Sequence, residues 1–161
     1  MGIFVDNNNT FEVKVKYLFD EDGEIHILTD EDEKNISLSL SEKASMPDGL
    51  THATDVPFNN PVDISKFNKE DIKCACFAFR KPSFDDIPIM LSSFAMVSAE
   101  GDVSPGDIFK FNNKKLKMLF VSGSAQDECG KKVEIDKSNV GSISHVLGSA
   151  MAVRMNEKIK M

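Results

Sequence analysis

The chain has 161 residues, the length of one ordinary domain, and 12 Phe supply large apolar side chains where Trp is absent and Tyr occurs once. Its 26 acidic and 19 basic residues give a net charge of −7, which repels the phosphate backbone, so nucleic acid is excluded as an expected ligand. The apolar runs fall short of the ~20 residues that a membrane-spanning helix needs, so no membrane segment is expected.

The cysteine content indicates a reducing compartment. The chain has three cysteines, Cys74, Cys76 and Cys129, and an odd number leaves at least one thiol outside any intrachain disulfide. The first residues contain no basic-then-apolar leader of the kind that directs secretion. We therefore expect a cytoplasmic protein, located in the host cell cytoplasm or in a virion if the chain is viral.

Alternating apolar residues dominate the first forty positions. Five apolar side chains share one face of residues 11–19: Phe11, Val13, Val15, Tyr17 and Phe19. Such alternation predicts a half-buried strand. Residues 20–23 predict a turn in which Gly23 takes a positive φ, and residues 24–28 resume the alternation, which together indicate a β-hairpin. Residues 36–40 alternate again, so we expect a third strand in a small antiparallel sheet.

Residues 41–73 show little periodicity. Pro, Gly and Asn recur in this segment, which is typical of loops. We predict a long loop or linker that crosses between two halves of the chain, with one short helix near residues 64–70. A loop of this length is uncommon unless it is functional or flexible, so we expect either a surface that contacts a partner or a disordered tether.

The second half of the chain begins with a strand and then becomes helical. Residues 74–80 predict a strand that Pro82 ends. Ser83 and Asp86 have the spacing of a capping box, which predicts the start of a helix. One face of this helix carries apolar residues at helical spacing and is expected to lie in the core: Phe84, Ile87, Leu91, Phe94 and Val97.

A second helix has the clearest local signal in the chain. Ser104 as the N-cap, Pro105 at the first helical position and Asp107 completing the capping box predict its start. Its apolar residues continue to Leu119 and Phe120.

The last helix is predicted to begin near Asp136 or Ser138, after a polar loop at residues 122–130. Its interior is rich in small residues: Gly141, Ser142, Ser144, Gly148, Ser149, Ala150 and Ala152. Because each Gly costs ~1 kcal/mol of helix propensity, such a helix needs to pack against another element. We expect a partner to dock on it.

Together these elements predict an α+β fold, with a small antiparallel β-sheet from the N-terminal half and a three-helix C-terminal half. The predicted regions are a β-rich region at residues 1–40, a long loop or linker at residues 41–73, and a strand plus helical region at residues 74–161.

Two cysteines raise the question of a zinc site. Cys74 and Cys76 would point to one face of a strand, where His26, His52 or Cys129 would complete a zinc tetrahedron. No second ligand pair at a zinc-finger spacing exists, so buried cysteines acting as small apolar side chains are the better interpretation. The acidic residues 20–24 and 30–33 lack the Gly position and the closing Glu of a calcium loop, so they are interpreted as solvated turns. No metal site is predicted.

No catalytic or cofactor-binding residues are predicted either. The chain contains no glycine-rich phosphate loop, no nucleophile elbow and no paired metalloprotease histidines. His145 is interpreted as a partly buried structural histidine, and His26 is expected to pair with a carboxylate across the hairpin. The protein is therefore not expected to be an enzyme. A site built from His26, His52 and Cys76 is the minor alternative, which a metal assay and substitution of Cys76 would test.

One part of the chain resembles a known group of proteins. The stretch Phe77-Ala-Phe-Arg-Lys-Pro-Ser-Phe-Asp-Asp86 precedes a helix, a second helix ends at Leu119-Phe120, and a turn with Gly130-Lys-Lys-Val133 precedes a final amphipathic helix. This order is similar to that of the small assembly chaperones and baseplate accessory proteins of tailed bacteriophages, over residues 74–158. The resemblance implies a non-enzymatic role in building a virus tail, with the β-rich first half as an addition that the short family members lack. It implies no functional residues.

Two functions are thus expected from the sequence. The first is a structural or assembly protein that contacts other protein subunits of a larger assembly, such as a bacteriophage tail or baseplate, and takes no small-molecule ligand. The alternative is an acidic binding protein that blocks a host enzyme or a nucleic-acid-binding site, with residues 20–24 and 30–33 as its charged face. Salt separates the two, because attachment through carboxylates weakens with ionic strength and an apolar interface does not.

Overall fold

The computed structural model describes residues 9–38, 50–88 and 105–159, including the backbone of residues 105–108 without their side chains. At its centre is a five-stranded sheet in the order β2-β1-β3-β4-β5, in which every neighbouring pair is antiparallel. The strands are β1 (Thr10–Phe19), β2 (Ile25–Leu28), β3 (Lys73–Arg80), β4 (Phe120–Gln126) and β5 (Lys132–Ile135). The α+β class predicted from the sequence is confirmed.

The described residues include three longer α-helical segments: α1 (Asp30–Ile36), α2 (Pro105–Leu119) and α3 (His145–Ile159). Residues 86–88 are also helical. Short 3-10 turns occur at Ile64–Lys66, Lys69–Asp71 and Val140–Ser142. Two of the three helices predicted for the C-terminal half, α2 and α3, are thus present. Most of the helix expected over residues 83–97 lies outside the described residues, and α1 lies in the first half, which was predicted to be β-rich.

The predicted hairpin of β1 and β2 is confirmed. The two strands pair from Lys16 opposite Leu28 to Phe19 opposite Ile25, and Gly23 in the turn has φ +80°. Within β1 the alternation has the expected effect, because Val13, Val15 and Tyr17 are buried while the intervening residues face the other side. The periodicity of two thus decides which face of this strand meets the core.

The core lies between one face of the sheet and helices α2 and α3. Three phenylalanines at its centre pack edge to face or tilted: the ring centroids of Phe77 and Phe120 are 5.3 Å apart, and those of Phe79 and Phe120 are 6.2 Å apart. Leu147, Met151 and Met155 of α3 are buried in the same cluster. A smaller cluster covers the other face near α1 and consists of Leu18, Leu28, Ile36 and Ile64.

The strand predicted for residues 36–40 is wrong where it can be checked, because Ile36 is the last residue of α1. Thr29 is the N-cap: its side chain accepts from the Asp32 backbone N–H, and the Asp32 side chain accepts from the Thr29 backbone N–H. Four acidic residues in the first turn also stabilise the helix, because their negative charge interacts favourably with the positive end of the helix dipole. Capping therefore outweighs the alternation, while residues 39 and 40 lie outside the described part of the chain.

The loop predicted for residues 122–130 is also wrong, because most of it belongs to the hairpin of β4 and β5. The middle of β4 consists of small residues, so the strand lacks the alternation of large apolar and polar side chains that would have predicted it. Gly123 is required at its position, since a Cβ there would lie 2.6 Å from Cδ1 of Phe77 on the neighbouring strand. The sheet thus takes three of its five strands from beyond residue 72 and is not a product of the N-terminal half alone.

The helix predictions in the second half are partly confirmed. Helix α2 (Pro105–Leu119) ends at Leu119, as expected, and Phe120 starts β4. Ser104, the predicted N-cap, lies outside the described residues. Helix α3 begins later than predicted because the carboxylate of Asp136 accepts from the backbone N–H groups of Ser138 and Asn139, which closes a turn before the 3-10 segment. Phe84, predicted to be core, is 89% exposed.

The middle segment is a loop, as predicted, over its described residues 50–72. It contains the 3-10 turns Ile64–Lys66 and Lys69–Asp71, which correspond to the short helix expected near residues 64–70. Ala53, Val56 and Ile64 are buried, so this part of the segment packs on the body of the protein. The remainder of the segment, from residue 41 to 49, lies outside the described residues.

Candidate functional site

An open groove of about 500 Å³ lies between α2 and α3 and is the candidate site. Helix α2 contributes Phe109 and Leu116, and the loop before β3 contributes Pro57 and Phe58. On the opposite side the lining consists largely of small residues: Gly141, Ser144, Gly148, Ser149 and Ala152. The surface of the groove is therefore mostly apolar.

Small side chains create the groove. Gly148, Ser149 and Ala152 lie on one face of α3, where they leave open the space that larger side chains would fill. The Ser149 hydroxyl donates to the His145 carbonyl at 2.7 Å, so its polar group has a partner within the helix. The sequence indicated that these small residues need packing from another element, and the structure places several of them along this groove.

The two helices run in opposite directions along the groove. Asn156 of α3 donates to the Asn112 side-chain oxygen at 3.2 Å. Towards the other end of α2, a Cβ on Gly141 would lie 3.0 Å from Cε of Lys117. The two helices thus meet near Asn112 and Asn156, the 3-10 turn before α3 approaches α2 near Lys117, and the groove lies between these two points.

Phe58 stands at the groove in an unusual conformation. It has φ +63°, the one non-glycine residue with a positive φ among the described residues. It follows Pro57 in a turn closed by the Asn59 N–H donating to the Val56 carbonyl at 3.3 Å, which is the pattern of a type II turn. The residue is 62% exposed, and its ring centroid lies 5.4 Å from that of Phe109 and 5.8 Å from that of His145.

Hydrogen bonds connect the turn that carries Phe58 to the outer edge of β2. The Asn59 side chain accepts from the Ile27 N–H at 2.8 Å and donates to the carbonyls of Ile27 at 3.3 Å and Ala53 at 3.0 Å. The Nδ1 atom of His26 is hydrogen-bonded, at 2.7 Å, to the carbonyl of Asn60, the residue that follows Asn59. These bonds hold the backbone around Phe58 in place, which explains how its unfavourable conformation persists.

The charge at the groove is positive. Lys117 lines it, and Lys110 and Lys114 are exposed on α2. None of the lining residues is acidic. Lys115 lies on another side of α2, where it is buried, and burial lowers the pKa of its ammonium group.

The two histidines considered as zinc ligands, His26 and His52, form hydrogen bonds within the fold. His26 pairs with Asp20 across the hairpin, as predicted, with Nε2 and Oδ2 2.7 Å apart, and this hydrogen bond lowers the pKa of Asp20. His52 bonds the buried carboxylate of Asp32 through its backbone N–H and through Nδ1, the latter at 3.0 Å. Asp32 thereby joins the loop at His52 to the first turn of α1.

The cysteines lie away from the groove. Cys74 and Cys76 project from the face of β3 opposite the helices, as the strand prediction required, and Cys129 is exposed. Burial raises the pKa of the Cys76 thiol. Within residues 9–38, 50–88 and 105–159, the structure brings together no group of three or more His, Cys, Asp or Glu side chains suited to a metal ion.

The prediction of a partly buried His145 is wrong. His145 is the first residue of α3 and is exposed, and its ring lies against Phe58 beside the groove. The later start of α3 explains this difference, since the helix begins at His145 instead of burying it in the interior.

Asp86 forms the helix cap that the sequence predicts and an ion pair that it does not. Asp86 accepts from the Ser83 backbone N–H at 2.7 Å, as the capping box predicted, and it also pairs with both terminal nitrogens of Arg80. Arg80 in turn donates to the Met118 carbonyl at 3.3 Å. The hydrogen bonds from Arg80 hold the pKa of Asp86 at about 2. This pair joins the end of β3 to the end of α2.

Comparison of the chain with known protein families, with curated proteins and with solved structures finds no match. In the part of the chain that the structure describes, no helix has both the length and the apolar character needed to cross a membrane. The site is therefore interpreted from its own geometry.

Proposed function

We propose that this protein is a non-enzymatic assembly protein that binds another protein subunit by enclosing apolar side chains of that subunit in the groove between α2 and α3. The observation that carries the proposal is Phe58, an exposed aromatic residue held beside the groove with φ +63°.

Folding alone gives little reason for Phe at this position. A non-glycine residue in the left-handed region costs on the order of 1–3 kcal/mol. Because Phe58 is 62% exposed, much of its apolar surface contributes no burial energy in the free protein. Covering an aromatic side chain completely is worth roughly 1.5–3 kcal/mol, enough to offset that strain. The balance favours Phe58 as a binding residue.

The groove favours apolar recognition over a small polar ligand. Sites for small molecules usually direct several unpaired polar groups at the ligand. Here the Ser149 hydroxyl and the Asn112 side-chain oxygen already have partners within the protein. Apart from Asn113, Lys117 and His145, the rest of the lining consists of aromatic, aliphatic and small residues, which is typical of grooves that receive a helix from another protein.

The resemblance of residues 74–158 to tail assembly chaperones and baseplate accessory proteins supplies a setting for this proposal. In that setting the bound subunit would be another tail or baseplate component. An assembly role agrees with the groove because it requires a contact surface and no chemical step.

Affinity purification of the tagged full-length chain from the cells that produce it tests the proposal. Three variants are compared with the original chain: Phe58→Gly removes the ring, Gly148→Leu fills the groove, and Phe84→Ser removes an exposed ring elsewhere. We expect a stoichiometric partner with the original chain and with Phe84→Ser. We expect recovery to fall at least about tenfold with Phe58→Gly and with Gly148→Leu, corresponding to ~1.4 kcal/mol or more of binding free energy.

Gly148→Leu is suited to this test because a Cβ at Gly148 meets only Ile143, at 3.7 Å. Leu is also a better helix former than Gly by about 0.5–1 kcal/mol, so the variant is expected to fold. Equal recovery of the partner with all four proteins, each with an unchanged unfolding midpoint, would exclude the groove as the binding site.

The acidic alternative has its own surface. Glu21, Asp22 and Glu24 are exposed in the turn before β2, and Asp30 and Glu31 are exposed after it. Two other carboxylates of the same stretches, Asp20 and Asp32, already bond within the fold. Neutralising Glu21, Asp22 and Asp30 to amides would abolish partner recovery if this alternative holds, and it would leave recovery unchanged if the groove is the site.

A further inference from the structure

We infer that the segment bound in the groove is an acidic amphipathic helix of a partner protein. This inference rests on the proposed function and adds the chemistry of the partner. Its observation is different from the one above, namely the distribution of charge along α2.

The exposed lysines of α2 form one stripe beside the groove. Lys110, Lys114 and Lys117 follow one another at spacings of four and three residues, which places them on one side of the helix. Lys117 is itself a lining residue. The lining residues Phe109, Asn113 and Leu116 fall on the adjacent side of the same helix, so the apolar surface and the positive charge lie next to each other.

Among the side chains that the structure describes, no carboxylate neutralises this positive charge. From residue 109 to 119 the chain contains four lysines and no carboxylate. Within the described residues, none of the three stripe lysines forms an ion pair. On α3, by contrast, Arg154 pairs with Asp55 and Glu157. A free basic stripe is conspicuous in a chain of net charge −7, and a partner's carboxylates would complement it.

A helix satisfies both requirements at once. An amphipathic helix presents apolar residues at i, i+3, i+4 and i+7 on one side, and acidic residues beside them would face α2. The acidic helix of a second copy does not suit the groove. In α1 the one aliphatic side chain, Ile36, is 1% exposed and already belongs to the protein's own core.

Two designed peptides of 18 residues provide the test. Both carry Leu at i, i+3, i+4 and i+7, and they differ only in having Glu or Lys beside the Leu stripe. Fluorescence anisotropy measures their binding to the full-length protein. At ~50 mM salt we expect the Glu peptide to bind at least about tenfold more tightly than the Lys peptide. The ratio should fall below about threefold at ~500 mM salt, where screening shortens the range of charge interactions.

Charge reversal on the protein provides the matched control. The triple variant Lys110→Glu, Lys114→Glu and Lys117→Glu should reverse the preference between the two peptides. The variant Lys14→Glu, Lys66→Glu and Lys69→Glu changes the net charge equally at exposed lysines elsewhere and should retain the preference for the Glu peptide.

The outcomes separate this inference from the proposed function. If Gly148→Leu abolishes binding but the stripe variant leaves the preference unchanged, the acidic partner is excluded and the groove stands. If neither peptide binds at ~1 mM while a fatty acid or a second copy of the chain does, the partner helix is likewise excluded. If Gly148→Leu and the original chain bind the Glu peptide equally, the groove itself is excluded for that peptide and the inference fails with it.

Discussion

The side-chain amide of Asn59 pairs with both backbone groups of Ile27, accepting from its N–H at 2.8 Å and donating to its carbonyl at 3.3 Å. Ile27 lies on β2, an edge strand of the sheet. Asn59 therefore takes the position that a further strand would occupy, which protects this edge from pairing with another chain. The same contact fixes the turn that presents Phe58, so the stability of the sheet edge and the candidate site are coupled.

Replacement of Asn59 by Ala should destabilise the protein by about 1–3 kcal/mol, because three hydrogen bonds are lost and partly buried backbone groups of Ile27 and Ala53 are left without a partner. Urea unfolding measures this difference, and hydrogen exchange at the Ile27 amide should become faster. Asn113→Ala is the control, since Asn113 is exposed, and it should change the free energy of unfolding by less than about 0.5 kcal/mol. Equal effects of the two substitutions would contradict this role.

The conformation of Phe58 predicts an inverted order of stability for two variants. At most positions Ala is more stable than Gly, but φ +63° favours Gly because it lacks a Cβ. The free energy of unfolding of the Phe58→Gly variant should therefore be about 1 kcal/mol higher than that of the Phe58→Ala variant. Both variants lose the ring, so the comparison isolates the backbone. At Phe84, which is not among the residues with a positive φ, the Gly variant should be no more stable than the Ala variant.

Substitution of Gly123 should show how closely β3 and β4 approach. A Cβ at this position would lie 2.6 Å from Cδ1 of Phe77, inside any normal contact, so Gly123→Ala should cost about 1–3 kcal/mol. Phe77→Leu combined with Gly123→Ala should cost less than the sum of the two single substitutions, since the smaller side chain gives way. Thermal unfolding measures the three variants. Strict additivity would argue against the contact.

The ion pair of Arg80 and Asp86 predicts a loss of stability in acid. The pKa of Asp86 is about 2 in the folded protein and about 3.9 in an unfolded chain. A lowered pKa means that the unfolded state takes up the proton more readily, so the contribution of Asp86 is fully present above pH ~5 and is lost as the pH falls towards ~2.

Asp86→Asn tests this contribution. Above pH ~5 the variant should be less stable than the original chain by about 2 kcal/mol, and the difference should shrink as the pH falls to ~2. The comparison with Asp86→Asn is needed because Asp20 and Asp55 also have lowered pKa values, so the stability of the whole protein falls in the same direction. A difference between the two proteins that does not vary between pH 2 and 6 would contradict the assignment.

Local signals in the chain were enough to predict several elements. The alternation of residues 11–19 predicted β1 and its buried face, and the apolar residues after Pro105 predicted α2 and its end at Leu119. These signals succeed because each depends on neighbours within a few residues, through strand periodicity or helix capping. Thr29 and Asp32 also have the spacing of a capping box for α1, a local signal that the strand prediction for residues 36–40 did not use.

Contacts between distant residues decided the rest. β4 is a strand because its small residues fit against Phe77, more than 40 positions earlier, and no periodicity within β4 reveals that fit. The groove likewise combines Phe58, Phe109 and Gly148, which lie far apart in the sequence and meet only when both helices pack on the sheet. Contacts between residues so far apart leave no local pattern in the sequence. The small residues of α3 indicated a need for packing, and only the tertiary structure showed that several of them line an open groove.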